Sequence, residues 1–166
     1  AYLGNLNGLM SSERFLMLDG SSNFSADKAY KDSKVCNILM GQELSRQISK
    51  RNLNISVTAW APGLVIPKSD SGFFRHSRKY NELGQRLFAL AARDLFKITE
   101  TPEKAGYLLY QLAISSKFYN TKFRYYSNKI IGFASKSFQE EDISNEAKNI
   151  DLAKSLWNKS SELLGL

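Results

Sequence analysis

The chain has one cysteine, one histidine and three prolines in 166 residues. A lone cysteine excludes an internal disulfide, and with a single histidine beside it the usual ligands for a dedicated zinc site are lacking. The cysteine content suits a reducing compartment. No stretch is long and apolar enough to span a bilayer: the longest, Ile55 to Pro67, is short and interrupted by polar residues. Glycine is present but not in phosphate-cradling order. Gly4, Gly8, Gly20, Gly41 and Gly63 never fall into a G-x-x-x-G-x-G or G-x-G-x-x-G arrangement after an apolar strand. The strand, turn and helix that receive a dinucleotide pyrophosphate are therefore not encoded here. No internal repeat or low-complexity tract is visible.

What is there suffices for a core: 43% of residues are hydrophobic, with two Trp, eight Tyr and ten Phe. The net charge of +7, from 23 basic and 16 acidic residues, is spread along the chain. Modest concentrations lie at 75–79 and 117–129, and solvated faces are the expected use of such charge. Phe118, Tyr119, Phe123, Tyr125 and Tyr126 interleave with the second patch, yet no nucleic-acid-binding motif accompanies them, so nucleic acid is not an expected partner. The patches suit anionic lipid heads or an acidic substrate, which is compatible with peripheral membrane association.

Residues 1–24 read mostly as loop, with one apolar run at Phe15 to Leu18. Ser25 or Asp27 caps a helix running to about Ile48, with Val35, Ile38, Leu39 and Leu44 facing the core. Asn54 to Trp60 alternates and is β-branched, which predicts a buried parallel strand entering the turn Ala61-Pro62-Gly63. Tyr80 to Phe96 is amphipathic. Thr101 caps another helix with Pro102 at its first position, burying Ala105, Leu108, Leu109 and Leu112. Phe123 to Tyr126 has strand character, and a final strand before the tail would complete the sheet. Ser144 caps a last helix whose Ile150, Ala153, Trp157 and Leu164 share a stripe, ending at Gly165. Cys36 reads as a small packed residue of the first helix rather than a nucleophile.

The most informative pair is Tyr30 and Lys34, which a four-residue gap puts on one helical face. A free tyrosine loses its proton near pH 10 and is a poor catalyst at neutral pH unless a neighbouring cation stabilises the phenolate. Lys34 is such a cation, and its ammonium can also hydrogen-bond a nucleotide ribose. The spacing alone occurs by chance in many helices.

The whole run Tyr30-Lys31-Asp32-Ser33-Lys34-Val35-Cys36-Asn37 resembles the active-site helix of the light-dependent protochlorophyllide oxidoreductases, a branch of the short-chain dehydrogenase/reductase superfamily. The phrase Leu3 to Leu9 is similar to an insertion preceding that helix in the family, and Leu156 to Leu166 to its C-terminus. The resemblance implies an α/β fold, the C-terminal part of a Rossmann-like doubly wound parallel sheet. Residues 1–166 would form the catalytic and substrate-binding portion, with the nucleotide-binding half, needed for stability and activity, upstream of Ala1.

It also implies NADPH as cofactor, no metal, and light-driven reduction of protochlorophyllide. Tyr30 would donate the proton, with Lys34 lowering its pKa and holding the ribose. Pro62 and Gly63 would end the strand, with Leu64, Val65 and Ile66 contacting the nicotinamide. Leu64, Phe73 and Phe74 would wall the pigment pocket, near the basic residues Arg75, His76, Arg78 and Lys79. Two residues depart from the family: Leu64 replaces a pocket cysteine and Pro67 a threonine. These departures leave open a short-chain carbonyl reductase working in the dark, or a silent paralogue binding pigment or a partner. The resemblance further implies a plastid, or a cyanobacterial cytoplasm or thylakoid surface, and permits an oligomer.

Overall fold

The computed structural model describes residues 2–11, 16–66, 81–132 and 134–166. Among the described residues, five strands, four α-helices and short 3-10 turns give an α/β fold, the class read from the sequence. The chain divides into two units, one of Ala1–Ala59, Asn120–Tyr125 and Asp142–Leu166, the other of Trp60–Tyr119 and Tyr126–Glu141.

The first unit is built on two helices. Helix α1, Ala26–Lys50, starts at Ser25, whose hydroxyl accepts from the Lys28 amide at 3.3 Å and satisfies one of the unpaired donors of the first turn. Asp27 is therefore not the cap; it lies in the first turn and pairs with Lys31 at 2.6 Å. Leu39 is fully buried and Val35 packs beside it, as their spacing predicts. Leu44 is 40% exposed, contrary to expectation, because the neighbouring positions Glu43 and Ser45 turn inward.

The last helix, named α4 in chain order, spans Ile150–Leu164 and packs on α1. Its cap is Asn149, whose side chain accepts from the Leu152 amide, and not Ser144, whose hydroxyl serves a separate turn by accepting from Ala147 N. Ala153 and Leu156 are buried, while Ile150 at 60% and Leu164 at 73% exposure lie off the packed stripe. Gly165 ends the helix in the left-handed conformation, φ +70°. The core joins Leu3, Leu6, Leu39, Ala153 and Leu156. The N-terminal loop thus supplies two of its most buried side chains.

The second unit carries most of the strand residues, while Thr58, Ala59, Arg124 and Tyr125 are assigned to the first. Strand β1, Thr58–Ala61, is shorter than expected, since Ile55 is exposed and residues 54–57 have no ladder partner. Strand β2, Leu64–Val65, pairs in parallel with β3, Thr99–Glu100. Strand β4, Arg124–Gly132, pairs antiparallel with β5, Ser135–Glu140, and the sheet order is β1-β4-β5. The parallel pair is the kind of unit from which a doubly wound sheet is made. Strand β5 is the final strand expected before the tail, though its residues carry little signal: Ser-Lys-Ser-Phe-Gln-Glu has little β propensity, and its single large apolar residue holds it. Phe138 meets Trp60, Phe118 and Tyr126, with ring centroids 6.5, 5.8 and 5.8 Å away.

Helix α2, Glu82–Leu90, is capped by Asn81 and continues as a π-helical turn, Ala91–Leu95. Helix α3, Pro102–Ile114, has Thr101 as cap and Pro102 in its first turn, as read from the sequence. Leu108 is buried, whereas Leu109 is half-exposed, because only a narrow stripe of α3 is covered.

Candidate active site

Tyr30 and Lys34 lie on successive turns of α1, and the structure brings them together: the Lys34 ammonium stands 5.2 Å from the centroid of the Tyr30 ring. That is within reach of a cation–π attraction. Both side chains are on the open side of the helix, with Tyr30 47% exposed. One turn of backbone is tightened there by the Ser33 hydroxyl, which donates to the Tyr30 carbonyl at 2.7 Å.

The opposite side of the same two turns is closed. At 100° per residue, positions 28 and 32 sit across the helix from 30 and 34. Asp32 is fully buried, and its Oδ2 takes the Lys28 ammonium at 2.5 Å. Lys28 also donates to the Tyr2 carbonyl at 2.7 Å and pairs with Asp19 at 3.4 Å. Burial works against the Lys28 charge, but the bond and the charge of Asp32 outweigh it, so the ammonium is held above its ordinary range. Asp19 is held low, chiefly by the hydrogen bond from the Ser21 amide. Neither Lys28 nor Asp32 stood out in the sequence, although opposite charges four apart on either side of Tyr30 are a readable signal.

Cys36 follows on the packed side of α1, beside the core. Burial pushes its thiol up to about 11, and the Asp32 and Glu146 carboxylates add to the shift. It is a packed residue, as read from the sequence.

In the second unit, Pro62 and Gly63 form the turn that ends β1. Gly63 has φ +87°, and a Cβ there would lie 3.2 Å from the Asn128 carbonyl oxygen. Asn128 is buried on β4 and donates from its side chain to the Pro62 carbonyl at 3.2 Å. This brace was missed in the sequence, where a polar residue in a strand of mixed charge carries no signal. Leu64 and Val65 form β2, and Ile66 beyond them is buried. Phe73 and Phe74, like Arg75, His76, Arg78 and Lys79, lie outside the described residues.

Among the described residues no group of three or more His, Cys, Asp or Glu side chains is placed to hold a metal, and no described helix is long and apolar enough to cross a membrane.

No family model matches the chain. Curated proteins do. Over 163 residues, 98% of this chain, it is 34% identical to the chloroplastic protochlorophyllide reductase of Marchantia paleacea and 33% identical to protochlorophyllide reductase A of Arabidopsis thaliana. Over 170 positions it is 31% identical to the protochlorophyllide reductase of Avena sativa, covering the whole chain. The resemblance is to protochlorophyllide reductase.

The chain spans 32% of the Marchantia protein, 36% of the Arabidopsis protein and 50% of the Avena protein. The match to protochlorophyllide reductase includes both the helix that carries Tyr30 and Lys34 and the turn at Pro62 and Gly63, because it runs almost from end to end of this sequence.

Proposed function

We propose that this chain is the catalytic and substrate-binding portion of an NADPH-dependent enzyme that reduces protochlorophyllide to chlorophyllide in the light. The observation that carries the reading is the 31–34% identity to protochlorophyllide reductases over 98% or more of the chain. The Tyr30–Lys34 pair supplies chemistry that fits it.

The residues present suit a nicotinamide nucleotide in two respects. Lys34 offers an ammonium with three donors on an open helix face, the type of group that grips ribose hydroxyls. Gly63 leaves backbone without a Cβ at the end of a strand, where such sheets receive ligands. Bound NADPH supplies the hydride. Tyr30 holds the proton on its phenol oxygen and gives it to the carbon opposite, and the Lys34 cation stabilises the phenolate left behind. Leu64, Val65 and Ile66 line the nicotinamide side, and Leu64 also faces the pigment. Residues 1–166 by themselves are inactive, because the phosphate-binding turn is not in this sequence. The relatives described as chloroplastic make a plastid the setting that fits best.

A second reading is a carbonyl reductase that works in the dark with the same Tyr30 on an alkoxide. Leu64, in place of the cysteine implied by the resemblance, favours it. The test is to mix the full-length protein with protochlorophyllide and NADPH in darkness and record absorption before and after one flash. A light-dependent red shift supports the reading. Pigment binding without conversion points to a silent paralogue, and no pigment binding contradicts it and turns attention to carbonyl substrates.

A further inference from the structure

Among the described residues the sheets β1-β4-β5 and β2-β3 share no ladder. The smaller one is short, with Leu64 opposite Thr99 and Val65 opposite Glu100. Two residues per strand make a weak pair, so its placement depends on more than its own backbone bonds.

Lys136, on β5, reaches across to it. Its ammonium donates to the Thr99 carbonyl and to Glu100 Oε1, both on β3. The Lys136 and Glu100 side chains are each 13% exposed, so the pair is shielded from water and salt as a surface pair is not. The β5 end of the bridge is fixed as well. Successive strand residues point to opposite faces, so Lys136 and Phe138 share one, and the Phe138 ring meets Trp60, Phe118 and Tyr126. Strand β3 is thus tied to the aromatic face of the larger sheet, and through the ladder β2 is tied with it. All of these residues belong to the second unit.

Removing the ammonium breaks this tie whatever the Glu100 carboxyl then does. Protonated or turned to water, that carboxyl has lost the group on β5 that reached it, and the Thr99 carbonyl has lost its donor.

We propose that Lys136 is a positioning residue for the nicotinamide: by tying β3 to β5 it seats β2, whose Leu64 and Val65 present the cofactor-side surface. The inference rests on the reading of β2 as the nicotinamide side.

The test uses the full-length protein in darkness. The first readout, without ligands, is amide hydrogen exchange in peptides covering 64–66 and 98–100, set against peptides from α1. The second is the affinity for NADPH against that for adenosine 2′,5′-bisphosphate, which carries no nicotinamide. Lys136→Met is expected to speed exchange in the first two peptides about tenfold or more and to leave α1 unchanged, as local opening does. NADPH affinity is expected to fall about fivefold or more, as it does when the binding-competent state is only partly populated, while the bisphosphate binds as before. Lys136→Arg keeps both readouts. Where Lys136→Met does not fold, Lys136→Met with Glu100→Ala lacks the tie without leaving a buried charge behind, and the same results are expected of it. Exchange at 64–66 and 98–100 as slow as in the wild type overturns the proposal, and so does exchange that rises equally in α1. Local loosening with NADPH affinity unchanged also overturns it. If the wild type binds no NADPH, the cofactor reading of the proposed function falls, and exchange alone decides whether Lys136 seats β2.

Discussion

Cys36 illustrates how position governs a residue's chemistry. Its thiol, pushed up from 9.0 to about 11 by burial and by the Asp32 and Glu146 charges, holds about a hundredfold less thiolate at pH 8 than an ordinary cysteine. Alkylation by iodoacetamide is therefore expected to be slower by a similar factor in the folded chain than in denaturant, as followed by mass spectrometry. Gly63→Ala places a Cβ 3.2 Å from the Asn128 carbonyl in a left-handed backbone, and is expected to cost about 1–3 kcal/mol in denaturant unfolding. Leu39→Ala, at the centre of the first unit's core, is expected to cost roughly 2–5 kcal/mol in the same measurement. The sequence made Leu39 legible through helical spacing and Gly63 through the Pro-Gly turn. Asp32 was not legible, because a carboxylate on a charged helix reads as solvated until a cation is seen buried beside it.

At the scale of elements, helices were easier to read than strands. Caps at Ser25 and Thr101 and the glycine at 165 are local signals, set by side chains within a turn of the helix end. Ser144 failed as a cap because its hydroxyl serves a separate turn by accepting from Ala147 N, and the helix starts only at Asn149, an equally good cap. Strand β5 depends on pairing with β4 and on Phe138 meeting aromatic rings distant in sequence, and neither is local. Helix α1 also contains a pH-sensitive element. Glu43, buried on it, accepts from Arg46 Nε at 2.7 Å and from Gln47 at 2.6 Å, with a second Arg46 bond to its other oxygen. The Arg46 bond holds this carboxyl below its ordinary 4.5 despite burial. A lowered carboxyl contributes stability above 4.5 and loses it as the pH falls through the folded value. Thermal unfolding of the chain is therefore expected to drop below pH 4.5, and Glu43→Gln is expected to flatten that drop while lowering the melting temperature at pH 7.

At the scale of the whole molecule, Tyr30 and Lys34 belong to one unit and Pro62 to Ile66 to the other. The sequence made both motifs visible, through a spacing and a turn, and both fall within the stretch that is similar to protochlorophyllide reductase. The account stands on Tyr30. Its most direct test compares wild-type and Tyr30→Phe full-length protein, each with protochlorophyllide and NADPH, by absorption after a single flash. Phenylalanine keeps the ring that faces Lys34 and removes the hydroxyl that carries the proton. The expected result is pigment binding by both proteins, with conversion by the wild type and a loss of about a hundredfold or more in the variant. Conversion by Tyr30→Phe at the wild-type level would contradict the account.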